Sequence, residues 1–141
     1  MKKIVSKSIE ETINAGAELA KSLKPRDVVA LRGDLGAGKT VFVKGLAKGL
    51  GFDGDVTSPT FVIMHEYRGK TTVYHFDMYR INDINSLYST GYFDCLDSDA
   101  VLAIEWSENI EFALPEKHWS VSFSYGENEN ERIIIIKMNN E

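Results

Sequence analysis

Gly33-Asp34-Leu35-Gly36-Ala37-Gly38-Lys39-Thr40 fits the spacing G-x-x-x-x-G-K-T without a gap. Each residue type has a task at its position. The glycines let consecutive backbone N–H groups turn inward around the phosphates of a nucleotide. The Lys39 ammonium reaches the same phosphates, and the Thr40 hydroxyl is placed to hold Mg²⁺. The flanks agree. Asp27-Val28-Val29-Ala30-Leu31 is an apolar, β-branched run ending just before the loop, and Val41, Phe42, Val43, Leu46, Ala47 and Leu50 recur behind it at helical spacing. Strand, glycine loop and helix are the context this motif requires. An ordinary glycine turn would not need Lys39 at a helix start, where the helix dipole disfavours a cation unless an anion is bound. The expected nucleotide contacts are therefore Asp34, Leu35, Gly36, Ala37, Gly38, Lys39, Thr40 and Val41.

Breaking a phosphoanhydride bond needs more than a cradle. It needs an acidic group near the metal, a group that orients water, and a sensor of the γ-phosphate. Val101-Leu102-Ala103-Ile104-Glu105 offers an acid at the end of a core strand, where ligands collect in open α/β sheets. The alternative is a solvated strand-end carboxylate. In Thr57-Ser58-Pro59-Thr60-Phe61 two hydroxyls flank a proline. Thr60 either reaches Mg²⁺ or the γ-phosphate from a loop that changes shape on hydrolysis, or serves as ordinary turn chemistry. In His75-Phe76-Asp77-Met78-Tyr79-Arg80, alternation puts His75, Asp77 and Tyr79 on one face. Asp77 is a candidate base or water-orienting group. His75 either bonds Asp77 or packs as a satisfied histidine, and Arg80 is expected to pair with an acid rather than with phosphate. His65, His75 and His118 lack the spacing of a zinc site, and Cys95 has no cysteine partner.

These residues need a scaffold. Ser8-Ile9-Glu10-Glu11 reads as a capping box opening a helix with Ile13, Ala17, Ala20 and Leu23 as its apolar stripe, stopped by Pro25. Strand and helix of the phosphate loop fill 27–50. Runs at 61–67 and 71–77, joined by Arg68-Gly69-Lys70, predict a hairpin. A short helix is expected within 82–95, a short core strand at 100–104, and an alternating strand at 119–125. The four isoleucines at 133–136 predict a last strand buried on both faces. The sum is one α/β domain over 1–141, a three-layer sandwich of the P-loop NTPase kind with a mixed parallel and antiparallel central sheet.

Composition narrows the function classes. The chain has 141 residues, enough to bury a core in one domain. A net charge of −5 argues against broad, sequence-independent binding to DNA or RNA, which depends on Lys and Arg. Cys95 alone makes no disulfide framework, so a reducing cytoplasm is expected, with Cys95 as a packing residue. No apolar window approaches a signal peptide or a membrane span.

The four clusters taken in order resemble one family: the TsaE (YjeE) ATPases of bacterial tRNA threonylcarbamoyladenosine biosynthesis. The resemblance rests on the 33–40 loop, Ser58-Pro59-Thr60-Phe61, Tyr74-His75-Phe76-Asp77-Met78-Tyr79-Arg80 and Ile104-Glu105-Trp106-Ser107-Glu108. It implies ATP on the loop, Mg²⁺ between Thr40 and Glu105, Thr60 in a switch-like loop, and Asp77 needed for hydrolysis. It also implies that the region from Ser8 to Thr12 borders the base. Val41 stands where many members have a second threonine; the backbone amide is what a phosphate uses there. The family's partners would be TsaD and TsaB, with tRNA reached only through that complex. The main rival is a small-molecule or nucleotide kinase, which needs a lid with several arginines over the phosphates. Arg26, Arg32, Arg68, Arg80 and Arg132 are not clustered in the sequence. A second rival is a nucleotide-gated assembly subunit with negligible hydrolysis of its own.

Overall fold

Two parallel runs of apolar residues, 28–31 and 101–104, lie side by side in the middle of the sheet and organise everything else. The computed structural model describes residues 1–34, 36–56 and 63–139. In chain order it contains β1 (Lys2–Ser6), α1 (Ile9–Ala20), β2 (Val28–Gly33), α2 (Lys39–Gly49), β3 (Met64–Tyr67) and β4 (Val73–Asp77). Two short helices follow, α3 (Ile84–Tyr88) and α4 (Tyr92–Leu96), then β5 (Val101–Glu105), a kinked 3-10 segment (Ser107–Ala113), β6 (His118–Tyr125) and β7 (Arg132–Asn139). The strands form one sheet in the order β1-β7-β6-β2-β5-β4-β3. β6, β2, β5 and β4 are parallel, while β3, β7 and β1 add antiparallel pairs on the two sides. With helices on both faces, this is the three-layer α/β sandwich with a mixed sheet that the sequence predicts.

Strand alternation divides the core in two. Val29, Leu31, Val101, Ala103, Val121 and Phe123 face α1 and α2, meeting Leu19, Phe42, Val43 and Leu46. Val28, Phe76, Leu102 and Ile104 face the other way, against Leu87, Tyr92 and Ile110. Because β2 and β5 are covered on both sides, they read as unbroken apolar runs.

Three expectations need correction, and one strand was not foreseen. The basic start of the chain is an edge strand, β1, paired antiparallel with β7; Lys2 and Lys3 are exposed on it, as charged residues often are on sheet edges. α1 stops at Ala20, five residues before Pro25, and unwinds through single tight turns at Lys21, Ser22 and Leu23. Its buried face is Thr12, Ala15, Gly16, Leu19 and Ala20, rotated from the predicted stripe, with Ile13 and Ala17 half-buried. The isoleucine run is buried on one face only: Ile134 and Ile136 are in the core, while Ile133 and Ile135 are half-buried. A strand flanked by partners can be apolar on both sides even where no helix covers the second face.

The capping box forms with a shift. Ser8 Oγ accepts from the Glu11 N–H at 3.1 Å, but the Glu11 carboxylate accepts from the Lys7 N–H at 3.0 Å, one residue ahead of the cap. The 82–95 region holds two short helices, and the 61–67 run begins its described strand at Met64. Among the described residues, no helix is long and apolar enough to cross a membrane.

α1 and α2 touch backbone to backbone. A Cβ on Gly45 would lie 1.9 Å from the Ile13 carbonyl oxygen, and one on Gly16 would lie 2.2 Å from that of Phe42. Both obstacles are main chain, so no side-chain rotation relieves them. Gly45→Ala is therefore expected to lower stability by about 1–3 kcal/mol or more despite alanine's better helix propensity. Urea unfolding should show a lower midpoint with an unchanged slope; a midpoint equal to or above that of the parent chain would show that the helices can separate freely.

Candidate functional site

The 33–40 loop leaves the end of β2 and enters α2 through Gly38, whose φ of +103° is left-handed backbone open mainly to glycine. No side chain caps the start of α2. Its first N–H groups therefore lack intrahelical partners and point toward the loop, an arrangement suited to an anion. Lys39 is the first residue of α2 and is buried. Its Nζ donates to the Gly33 carbonyl oxygen at 2.7 Å and stands 4.0 Å from the centroid of the Trp106 ring. Among the described residues no carboxylate pairs with it. A buried ammonium held, among the described residues, by a carbonyl and a ring face fits an anionic group as its further partner.

The acid at the end of β5 is not a solvated carboxylate. Glu105 is 5% exposed. Its Oε2 accepts from the Thr40 hydroxyl at 3.0 Å and faces His75 Nε2 at 2.5 Å. His75 is fully buried, with Nδ1 3.0 Å from the Tyr67 hydroxyl. So α2, β5 and β4 meet at one carboxylate, and β3 backs it through His75. Thr40 and Glu105 offer two hard oxygen ligands side by side. Mg²⁺ commonly takes one or two protein oxygens and completes its shell with water and phosphate, so the pair fits that ion.

Asp77 ends β4 directly opposite Glu105 in the parallel register. The two carboxylates therefore project from the same face at the carboxyl ends of adjacent strands. Asp77 Oδ1 accepts from the Tyr79 N–H at 2.9 Å. Burial raises its carboxyl above the ordinary value, the Tyr79 N–H opposes that, and the Glu105 charge adds to it. His75 bonds Glu105 and not Asp77; of its two expected roles it takes the second, a buried histidine with both ring nitrogens partnered. Arg80 is exposed and makes no ion pair among the described residues. Tyr79 turns out into solvent, 61% exposed, and packs its ring at a tilt against Trp106 with centroids 4.9 Å apart.

Trp106 has φ +58°, a left-handed conformation that costs a bulky residue about 1–3 kcal/mol. Four hydrogen bonds around it resist relaxation. The Ser107 hydroxyl donates to the Leu31 carbonyl, the Met78 N–H to the Glu105 carbonyl, and Asn109 Nδ2 to the carbonyls of Met78 and Tyr79. The strain turns the chain sharply at the end of β5 and lays the indole against Lys39.

Thr12 lies at the loop: its Oγ1 is 2.7 Å from Ser6 Oγ, and its methyl is 3.8 Å from where a Gly38 Cβ would sit. Ser8 is occupied as the cap of α1. Leu35 and Thr60 lie outside the described residues, with the rest of the 57–62 segment. Two residues that sequence reasoning missed border the loop. Arg132, the first of β7, directs a guanidinium nitrogen to the Gly36 carbonyl at 3.5 Å and lies over the Tyr125 ring. Tyr125 brings its hydroxyl to 3.2 Å from where a Gly36 Cβ would be. Both sit at the ends of strands joined by a polar turn, far from the loop in sequence and in no local motif. Only the β6–β7 pairing could have placed them.

Comparison with known proteins identifies the family. The family model described as threonylcarbamoyl adenosine biosynthesis protein TsaE matches residues 6–134. A tRNA threonylcarbamoyladenosine biosynthesis protein TsaE from Treponema pallidum (strain Nichols) is 38% identical over 131 residues, 93% of this chain and 97% of that protein. The protein of the same name from Mycobacterium bovis is 41% identical over 122 residues, covering 80% and 73%. The crystal structure of YdiB from Bacillus subtilis matches with a TM-score of 0.81 at 34% identity, over 98% of this chain and 85% of that one. With the model match spanning most of the chain and the Treponema relative matched over 97% of its own length, this chain belongs to the TsaE family of threonylcarbamoyl adenosine biosynthesis proteins.

Proposed function

We propose that this protein is a Mg²⁺-dependent ATPase that acts in the cytoplasm as an accessory subunit in tRNA threonylcarbamoyladenosine formation, working on the TsaD–TsaB pair and meeting tRNA only through that complex. The observation that supports it best is the Thr40–Glu105 contact at the start of α2, beside a buried Lys39 that makes no ion pair among the described residues. In this reading the loop amides from Asp34 to Val41 and the Lys39 ammonium hold the phosphates, while Thr40 and Glu105 hold the metal. When bound, Mg²⁺ would neutralise charge on the phosphate oxygens. Ser8 and Thr12 would border the base, and Thr12's place against Gly38 fits that side of the loop. Asp77, with its raised carboxyl beside Glu105, would orient or deprotonate the attacking water, and Thr60 would sense the γ-phosphate. The kinase reading finds less support. Arg32 pairs with Glu111 and Arg68 with Glu66, and only Arg132 approaches the loop among the described residues.

The roles separate experimentally. Lys39→Ala should abolish tight ATP binding in calorimetric titration, because a direct charge contact to phosphate is lost; unchanged affinity would reject the assignment. Asp77→Ala should keep ATP affinity and lower turnover about a hundredfold to ten-thousandfold, as removal of a positioned base does. Phosphate release should be measured with TsaD and TsaB present, and melting temperature on the same preparation. A large fall in melting temperature with full activity per folded molecule would assign Asp77 a structural role instead. Glu105→Gln should bind nucleotide yet hydrolyse it far more slowly, and wild-type turnover in that variant would remove Glu105 from the chemistry.

A further inference from the structure

We propose that His75 is a positioning residue for the proposed metal site, holding the Glu105 carboxylate against Thr40 so that the two side chains stand ready as one oxygen pair. The inference rests on Glu105 and Thr40 being the metal contacts, and it assigns the work of arranging them to a residue that touches neither nucleotide nor metal.

The imidazole is fully buried on β4, and both of its nitrogens are used. A nitrogen and a carboxylate oxygen 2.5 Å apart need a proton between them, so Nε2 carries one and donates it to Glu105 Oε2. The Tyr67 hydroxyl occupies Nδ1 from β3, across the hairpin, and fixes the ring's orientation. In the β4–β5 register His75 lies opposite Ala103, with Glu105 two residues further along the same face. The ring therefore reaches forward along the sheet beside a neighbour with only a methyl side chain.

The division of oxygens matters. Oε2 takes both the His75 and the Thr40 hydrogen bonds, while Oε1 accepts none from the described residues. One oxygen anchors the carboxylate and the other is left for a ligand. Asp77, on the same face, takes its hydrogen bond from the Tyr79 backbone and not from His75. The imidazole thus restrains one of two neighbouring acids and leaves the other to separate chemistry. Partners of this kind behind a ligating carboxylate are worth about 10–100-fold in metal affinity or activity.

Calorimetry of ATP binding with Mg²⁺ and with EDTA, together with Mn²⁺ titration followed by electron paramagnetic resonance, tests the assignment. His75→Phe keeps a ring and removes the donor; it should leave metal-free ATP affinity within about twofold and weaken Mn²⁺ binding about 10–100-fold. His75→Gln, whose amide N–H reaches to a similar distance, should restore most of that loss. Tyr67→Phe should weaken the metal in the same direction by a smaller factor. Mn²⁺ affinity unchanged in His75→Phe, with only a lower melting temperature, would overturn the inference. If His75→Phe fails to fold, unchanged metal affinity in Tyr67→Phe together with lost affinity in His75→Gln would overturn it as well. A parent chain whose ATP affinity is the same with Mg²⁺ and with EDTA would instead remove the reading of Glu105 and Thr40 on which it rests.

Discussion

One oxygen atom joins the layers of this protein at their functional end. Glu105 Oε2 receives the Thr40 hydroxyl from α2 and faces the His75 imidazole from β4, and Tyr67 on β3 holds that imidazole from behind. A buried carboxylate without such partners would be expensive. With them it ties the helix that follows the phosphate loop to three neighbouring strands. The arrangement depends on register. Asp77 falls opposite Glu105, and His75 falls opposite Ala103, only because β4 and β5 run parallel with their ends aligned.

Packing elsewhere holds that register. α1 lies against α2 through glycine contacts too close for any side chain, which presses α2 onto the sheet. At the end of β5, Trp106 adopts a left-handed backbone that its surroundings enforce, and the resulting turn brings the indole over Lys39. Local strain of this kind persists where a site needs it and the surrounding bonds over-determine it. The half of the sheet formed by β1, β7 and β6 contributes Arg132 and Tyr125 to the far side of the loop. The site is thus built from both ends of the chain.

Much of this was legible from the residues. The glycine-lysine-threonine spacing located the loop, the apolar runs before and after it located β2 and α2, and Val101 to Glu105 read as a core strand with an acid at its end. Period-two alternation correctly placed His75 and Asp77 on one face. Alternation could not say that His75 would reach Glu105 on the neighbouring strand, because that contact belongs to the pairing of β4 with β5 and not to either segment alone. The same limit hid Arg132, Tyr125 and the edge strand β1, whose two leading lysines mask a strand that exists only because β7 is there to pair with it. The isoleucine run misled for a related reason: apolar residues on both faces record strand neighbours as well as helical cover. Gly16 and Gly45 carry no signal in their own segments; the closeness of α1 and α2 is what requires them.

The most direct test of the account is a crystal structure with a non-hydrolysable ATP analogue and Mg²⁺. The account predicts that the Lys39 ammonium leaves the Gly33 carbonyl for a phosphate oxygen, that Thr40 and Glu105 both contact the metal, and that His75 keeps its hydrogen bond to Glu105. A nucleotide bound elsewhere, or a metal held without Glu105 while Lys39 stays on Gly33, would contradict it.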